Sequence, residues 1–159
     1  MILDRKNILK LDTKVIKKYL EDIGLSLGFE VNKKGFRTEN GEIDVVWYKT
    51  LKKPLINQNK VIIAGFEIET SKRTRKHLKG DMFNLITLPC SLGVIILVER
   101  GFDRRKGIIK AKKDYQCNLN AIKNYINSFK GISNIKVWTA RELEILYNKH
   151  FEAKEEFFK

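Results

Sequence analysis

Glu67 and Glu69 close the apolar run Val61-Ile62-Ile63-Ala64-Gly65-Phe66-Glu67-Ile68-Glu69, which reads as a buried strand. Side chains alternate across a strand, so the two carboxylates project from one face about 7 Å apart. Like charges that close on a buried element repel and lose hydration, and a cation or an unusual proton distribution is the natural remedy. A divalent-metal site is therefore the first chemistry to consider. Asp44 lies in the preceding β-rich segment, and if the two segments pair, its carboxylate converges with Glu67 on one ion. Such oxygens suit Mg²⁺, with Mn²⁺ as a substitute. Mg²⁺ takes one or two carboxylates, here joined by a backbone carbonyl such as that of Ile68 and by a substrate phosphate, and it keeps several waters. One of those waters is the candidate nucleophile.

The elements that must position these residues follow from periodicity. Val15, Ile16, Tyr19, Leu20 and Ile23 recur at helical spacing from Asp12 to Leu25, with Asp12 or Thr13 as N-cap. Gly28 to Lys34 reads as a short strand. After the turn-like Thr38-Glu39-Asn40-Gly41 comes Glu42 to Tyr48, rich in β-branched and aromatic residues, and the pair suggests a hairpin. A polar link with Pro54, Asn57 and Asn59 leads to the strand Lys60 to Thr70. Leu78, Met82, Leu85 and Ile86 mark a helix from Thr74 to Leu88, stopped by Pro89. Leu92 to Val98, apolar without alternation, suits a strand covered on both faces. A helix over Asn118 to Phe129, a strand over Ile135 to Thr139 and a helix from Arg141 that frays beyond Glu152 complete the chain. The fold class is α/β, a central mixed sheet flanked by helices, in one domain over residues 1–159.

With 159 residues, 43% hydrophobic and 10% aromatic, the chain can bury a real core. Lys and Arg number 32 against 19 Asp and Glu, a net charge of +13 and a pI near 9.7. That field attracts polyanions and makes nucleic acid the leading partner class. Cys90 and Cys117 form neither a disulfide framework nor a metal spacing, and His77 and His150 form no zinc pattern. With no apolar leader and no run long enough to span a bilayer, the expectation is a cytoplasmic protein without membrane contact. Phosphate-binding, dinucleotide-binding and nucleophile-elbow motifs are absent.

Helix, three strands, helix, strand, with Ile43-Asp44 on the second strand and Glu67-Ile68-Glu69 on the third, resembles the PD-(D/E)xK nuclease superfamily of restriction-endonuclease-like proteins. The resemblance covers roughly Asp12 to Val98 and leaves residues 99–159 as an elaboration. It implies an Mg²⁺-dependent DNA endonuclease with Asp44 and Glu67 as metal ligands. Ile43 stands in place of the usual Pro, and Glu69 in place of the usual Lys. A subset of restriction endonucleases carries a second Glu there, which gives Glu69 a role in orienting or deprotonating the attacking water. Lys72 is the alternative source of positive charge. Members with an acidic residue on the first helix make Glu21 a further candidate ligand. Glu42, on the face of Asp44 by the period of two, reads as an outward-facing charge.

Lys72, Arg73, Arg75, Lys76 and Lys79 follow the carboxylates at once and would flank the metal against phosphates. Arg104, Arg105, Lys106, Lys110, Lys112 and Lys113 fall in what reads as a loop with Gly101 and Gly107. Trp47 and Trp138, embedded in apolar strands, read as core residues. A homodimer is possible, as two sites would address two strands. The rival readings are a catalytically inactive nucleic-acid-binding domain of the same fold and a basic interaction module for an acidic protein.

Overall fold

The computed structural model describes residues 12–55, 58–70, 75–98, 107–128 and 134–157. Its elements are α1 (Thr13–Ser26), β1 (Glu30–Asn32), β2 (Phe36–Arg37), β3 (Glu42–Ile43), β4 (Val45–Leu55), β5 (Gln58–Thr70), α2 (Arg75–Thr87), β6 (Leu92–Val98), α3 (Gly107–Ser128), β7 (Ile135–Thr139) and α4 (Ala140–Phe157). A mixed five-stranded sheet runs β1-β4-β5-β6-β7, and β2 and β3 form a separate small sheet. The pairs β1/β4 and β4/β5 are antiparallel, as the short connections predict. The pairs β5/β6 and β6/β7 are parallel, each reached through a helix.

Two apolar clusters cover the two faces. Ile16, Leu20 and Ile23 of α1 and Leu143 of α4 pack on one face against Val45, Phe66 and Ile96. Leu78, Met82 and Leu85 of α2 and Ile122 of α3 pack on the other against Val46, Ile95 and Leu97. Asp12 caps α1 by accepting from the Val15 amide at 2.9 Å, and Gly28 (φ +80) lets the chain turn back into β1. Trp47 fixes where α1 sits. Its Nε1 donates to the Leu20 carbonyl at 2.9 Å, and Gly24 lies so close that a Cβ there would stand 2.6 Å from that nitrogen. Trp47 is thus a core residue, and Trp138 packs against the same cluster.

Three sequence expectations change. The segment Glu42 to Tyr48 is not one strand: β3 pairs with β2 and β4 with β1, so the chain bends between them at Asp44. The polar link is shorter than expected: Pro54 lies within β4 and Asn59 within β5, which pair again at Leu55 and Gln58 after a register shift beyond Thr50, while Asn57 lies outside the described residues. The basic stretch read as a loop contains the start of α3, so Lys110, Lys112 and Lys113 are helical; Lys and Ala favour helix, and Gly107 opens it. No described helix is long and apolar enough to cross a membrane.

Candidate functional site

The pairing of β4 with β5 sets Val45 opposite Phe66, which brings Asp44, one residue earlier, level with Glu67 and Ile68. The contact is reciprocal. The Ile68 amide donates to Asp44 Oδ2 at 2.8 Å, and the Asp44 amide donates to Glu67 Oε2 at 3.3 Å. Each carboxylate is oriented by the backbone of the other's strand, so neither can leave without breaking a bond across the sheet.

The second layer comes from the helices. Asn84 of α2 donates through Nδ2 to Glu67 Oε1 at 3.1 Å. Lys17 of α1 sets its ammonium 3.5 Å from Asp44 Oδ1 and also donates to the Lys33 carbonyl at 3.2 Å. The Lys17 and Asp44 side chains are 25% and 32% exposed, so the pair meets solvent and contributes about 1 kcal/mol or less to stability. Glu67 and Glu69 are buried, 3% and 1% exposed, the only buried charged residues among those described. They flank Ile68, which belongs to the opposite apolar cluster, so both face α2 and α3 as alternation predicts. Glu69 Oε1 accepts from the Thr70 amide at 2.9 Å.

Burial pushes the Glu67 carboxyl up to about 9, helped by the negative charges of Asp81 and Asp44 and opposed by the Asn84 and Asp44 hydrogen bonds. At neutral pH, Glu67 therefore holds a proton in the absence of any other cation. This is the proton distribution that two crowded carboxylates demand. A divalent ion would take that proton's place.

Among the described residues, no three His, Cys, Asp or Glu side chains gather into a metal-holding group. Mg²⁺ does not require three, since one or two carboxylates with waters and a substrate phosphate suffice. The orienting bonds leave each carboxylate oxygen of Asp44 and Glu67 with a second lone pair, and the donor set is hard oxygen throughout, so the pair fits Mg²⁺ or Mn²⁺. The Ile68 carbonyl remains the backbone candidate.

Glu21 does not join them: it is held by the ammonium of Lys33, and the α1 residue that reaches Asp44 is Lys17, one turn earlier. Glu42 faces outward, 3.8 Å from Arg37. Lys79 leans over Tyr125 of α3, 5.8 Å from the ring centroid. Arg75 and Lys76 open α2. Lys72, Arg73, Arg104 and Arg105 lie outside the described residues. Sequence reasoning missed Lys17, Asn84 and Asp81. Lys17 had a visible signal, since it shares the helix face of Glu21 at i, i+4. Asn84 and Asp81 lie between the apolar positions of α2, and only the docking of that helix sets them on Glu67.

Comparison of the chain with family models, with curated proteins and with solved structures returned no match.

Proposed function

We propose that this chain is a metal-dependent phosphodiesterase of the PD-(D/E)xK kind acting on DNA, with Asp44 and Glu67 as the ligands of one Mg²⁺. The observation that carries this reading is the reciprocal bonding of Asp44 and Glu67 across β4 and β5. It spends two buried or half-buried carboxylates on a contact that hydrocarbon would make more stable. The net charge of +13 and the basic run entering α2 support a polyanionic substrate.

When bound, Mg²⁺ supplies a water of lowered pKa and charge stabilisation at the phosphate. The chain's own residues do the rest. Asp44 and Asn84 hold Glu67 in place, and the Ile68 amide fixes the rotamer of Asp44. Lys17 supplies the positive charge that the usual Lys at position 69 would bring. It reaches Asp44 from a helix, and Glu69 is left as a buried residue on the face of Glu67.

The test is cleavage of supercoiled plasmid with Mg²⁺ or Mn²⁺ by the wild type and by Asp44→Ala. Mn²⁺ titration calorimetry on the wild type and on Glu67→Ala accompanies it. Cleavage and heat that vanish with the carboxylates support the reading; equal heats from both proteins refute the metal site. The second reading, an inactive nucleic-acid-binding domain, is favoured by the burial of Glu69 where the family's catalytic Lys stands. Wild-type binding without hydrolysis on duplex, nicked and branched DNA would select it.

A further inference from the structure

The small sheet of β2 and β3 stands apart from the main one, and it touches both helices that hold the Asp44 and Glu67 carboxylates. Just before β2, the Lys33 carbonyl accepts from the Lys17 ammonium at 3.2 Å, and the Lys33 side chain pairs with Glu21 of α1. In the turn between β2 and β3, Gly41 backs onto the Asn84 amide of α2. A Cβ on Gly41 would stand 2.7 Å from Asn84 Oδ1 and 3.1 Å from Nδ2. These are the same two side chains that hold the site, since Lys17 lies 3.5 Å from Asp44 Oδ1 and Asn84 donates to Glu67 Oε1 at 3.1 Å. The hairpin therefore reaches the carboxylates through their holders.

Gly41 is itself held in place. The Thr38 amide donates to the Gly41 carbonyl at 2.7 Å, and the Thr38 hydroxyl donates to the same carbonyl at 3.0 Å. That hydroxyl oxygen also accepts from the Gly41 amide at 3.2 Å, so both polar groups of the Gly41 backbone are taken up by one residue. Phe36 and Ile43, paired across the hairpin, join the apolar cluster of α2 and seat the hairpin against that helix.

We propose that the β2/β3 hairpin is a strap that sets the metal affinity of the site, with Thr38 and Gly41 as positioning residues that act on Glu67 through Asn84. An Asn side chain turns about both of its bonds, so Nδ2 stays on Glu67 only while Oδ1 is stopped from behind. The Gly41 backbone is that stop. Glycine lets a backbone come this close, and any larger residue pushes the Asn84 amide off its place. Groups that orient a metal ligand are worth about 10–100-fold in metal affinity, which is the scale on which the strap acts. A hairpin that only covered the core would need Phe36 and Ile43, and would leave metal affinity indifferent to the residues at positions 38 and 41. The control of affinity rests on the metal reading of Asp44 and Glu67.

The experiment measures Mn²⁺ binding, from the loss of the free-ion EPR signal, by the wild type, Gly41→Ala, Thr38→Val and Thr38→Ser. Gly41→Ala and Thr38→Val are also placed on an Asn84→Ala background. Gly41→Ala is expected to weaken Mn²⁺ about tenfold. Thr38→Val, which keeps the side-chain shape and loses the hydroxyl, weakens it about threefold, the scale of one hydrogen bond. Thr38→Ser, which keeps the hydroxyl, matches the wild type. On the Asn84→Ala background neither change has a further effect, because the contact through which both act is gone. In EDTA, the NMR resonance of the Asp44 amide, which donates to Glu67 Oε2, shifts in Thr38→Val and stays in Thr38→Ser. If Gly41→Ala does not fold, Thr38→Val and its double variant carry the test. Equal losses on the two backgrounds overturn the proposal, and so do single variants that bind Mn²⁺ as the wild type does. A wild type that takes up no Mn²⁺ overturns the metal reading and the strap together, whereas a wild type that binds beside unaffected variants overturns the strap alone.

Discussion

The two faces of the central sheet are built by the same strands and follow different rules. On the α1/α4 face, Val45, Trp47, Phe66, Ile68 and Ile96 belong to one hydrocarbon layer with no buried charge among the described residues. On the α2/α3 face, β6 presents Ile95 and Leu97, but at the same register β5 presents Glu67 and Glu69. A step of one residue along β5 exchanges a side chain whose burial contributes about 1.5–3 kcal/mol for one whose burial is unfavourable. The first face holds the molecule together and places α1. The second gives up stability where β4 and β5 bring carboxylates together, which is the pattern of a site rather than of a core.

Removing Asp44 tests the contrast most severely. Asp44→Ala is expected to reduce Mg²⁺-dependent plasmid cleavage by about a thousandfold, since a metal's charge stabilisation is worth several kcal/mol. Its melting temperature should fall by only several °C, because the loss is one acceptor for the Ile68 amide, about 1–3 kcal/mol, and a partly exposed ion pair rather than packing. The mirror experiment on the apolar face is Trp47→Ala, expected to cost about 3–5 kcal/mol in urea unfolding. The indole packs against Phe66, with ring centroids 4.6 Å apart, and bonds to Leu20. If Asp44→Ala unfolds the protein while Trp47→Ala leaves it stable, the division of labour between the faces is wrong.

Lys17 is where the two faces meet, for it stands on the helix of the apolar face and touches the carboxylate of the other. Lys17→Met keeps the aliphatic stem and removes the charge. Cleavage is expected to fall about 10–100-fold, the scale seen when a group that orients a metal ligand is lost. Stability should shift by less than about 1 kcal/mol. Lys17→Arg should recover part of the rate. A Lys17→Met variant that matches the wild type in the cleavage assay would show that the ion pair with Asp44 is incidental.

How far the sequence disclosed all this depends on the range of each interaction. The helical stripe of α1, the alternation around Ile68 and the unbroken apolar run of β6 are local, and each is where periodicity puts it. Asp44 was legible beside Glu67 because adjacent antiparallel strands need one register assumption. Its bend was not, since that depends on β2 capturing β3 away from the main sheet. The start of α4 falls one residue before the Arg141 that its pattern gives, and the local signal that fixes it is a capping box, Thr139-Ala140-Arg141-Glu142. The Thr139 amide donates to Glu142 Oε2 at 2.6 Å, and the Glu142 amide donates to Thr139 Oγ1 at 3.1 Å. Asn84 and Asp81 needed the docking angle of α2, which no spacing encodes.

The smallest expected effect reports on the proton of Glu67. Its carboxyl ionises near 4.5 when the chain is unfolded and near 9 when it is folded, because burial and the charges of Asp81 and Asp44 oppose ionisation. Between those values the folded protein binds more protons, so stability falls as pH rises. The neutral form's advantage is fully present below about pH 4.5 and is lost as pH passes 9. Glu67→Gln fixes the side chain in a neutral form of similar shape. Its carbonyl can still accept from the Asp44 amide, and Asn84 can turn its own amide to meet the new NH₂ group. In EDTA, the two proteins are expected to melt at similar temperatures near pH 5, with the wild type falling progressively below the variant as pH rises toward 9. Adding Mg²⁺ at pH 8 should raise the wild-type melting temperature and leave the variant unmoved, since only the ionised carboxylate binds it. A wild type whose melting temperature runs parallel to that of Glu67→Gln over the whole range would mean that Glu67 is not held protonated, and the acidic face would lose the feature that distinguishes it.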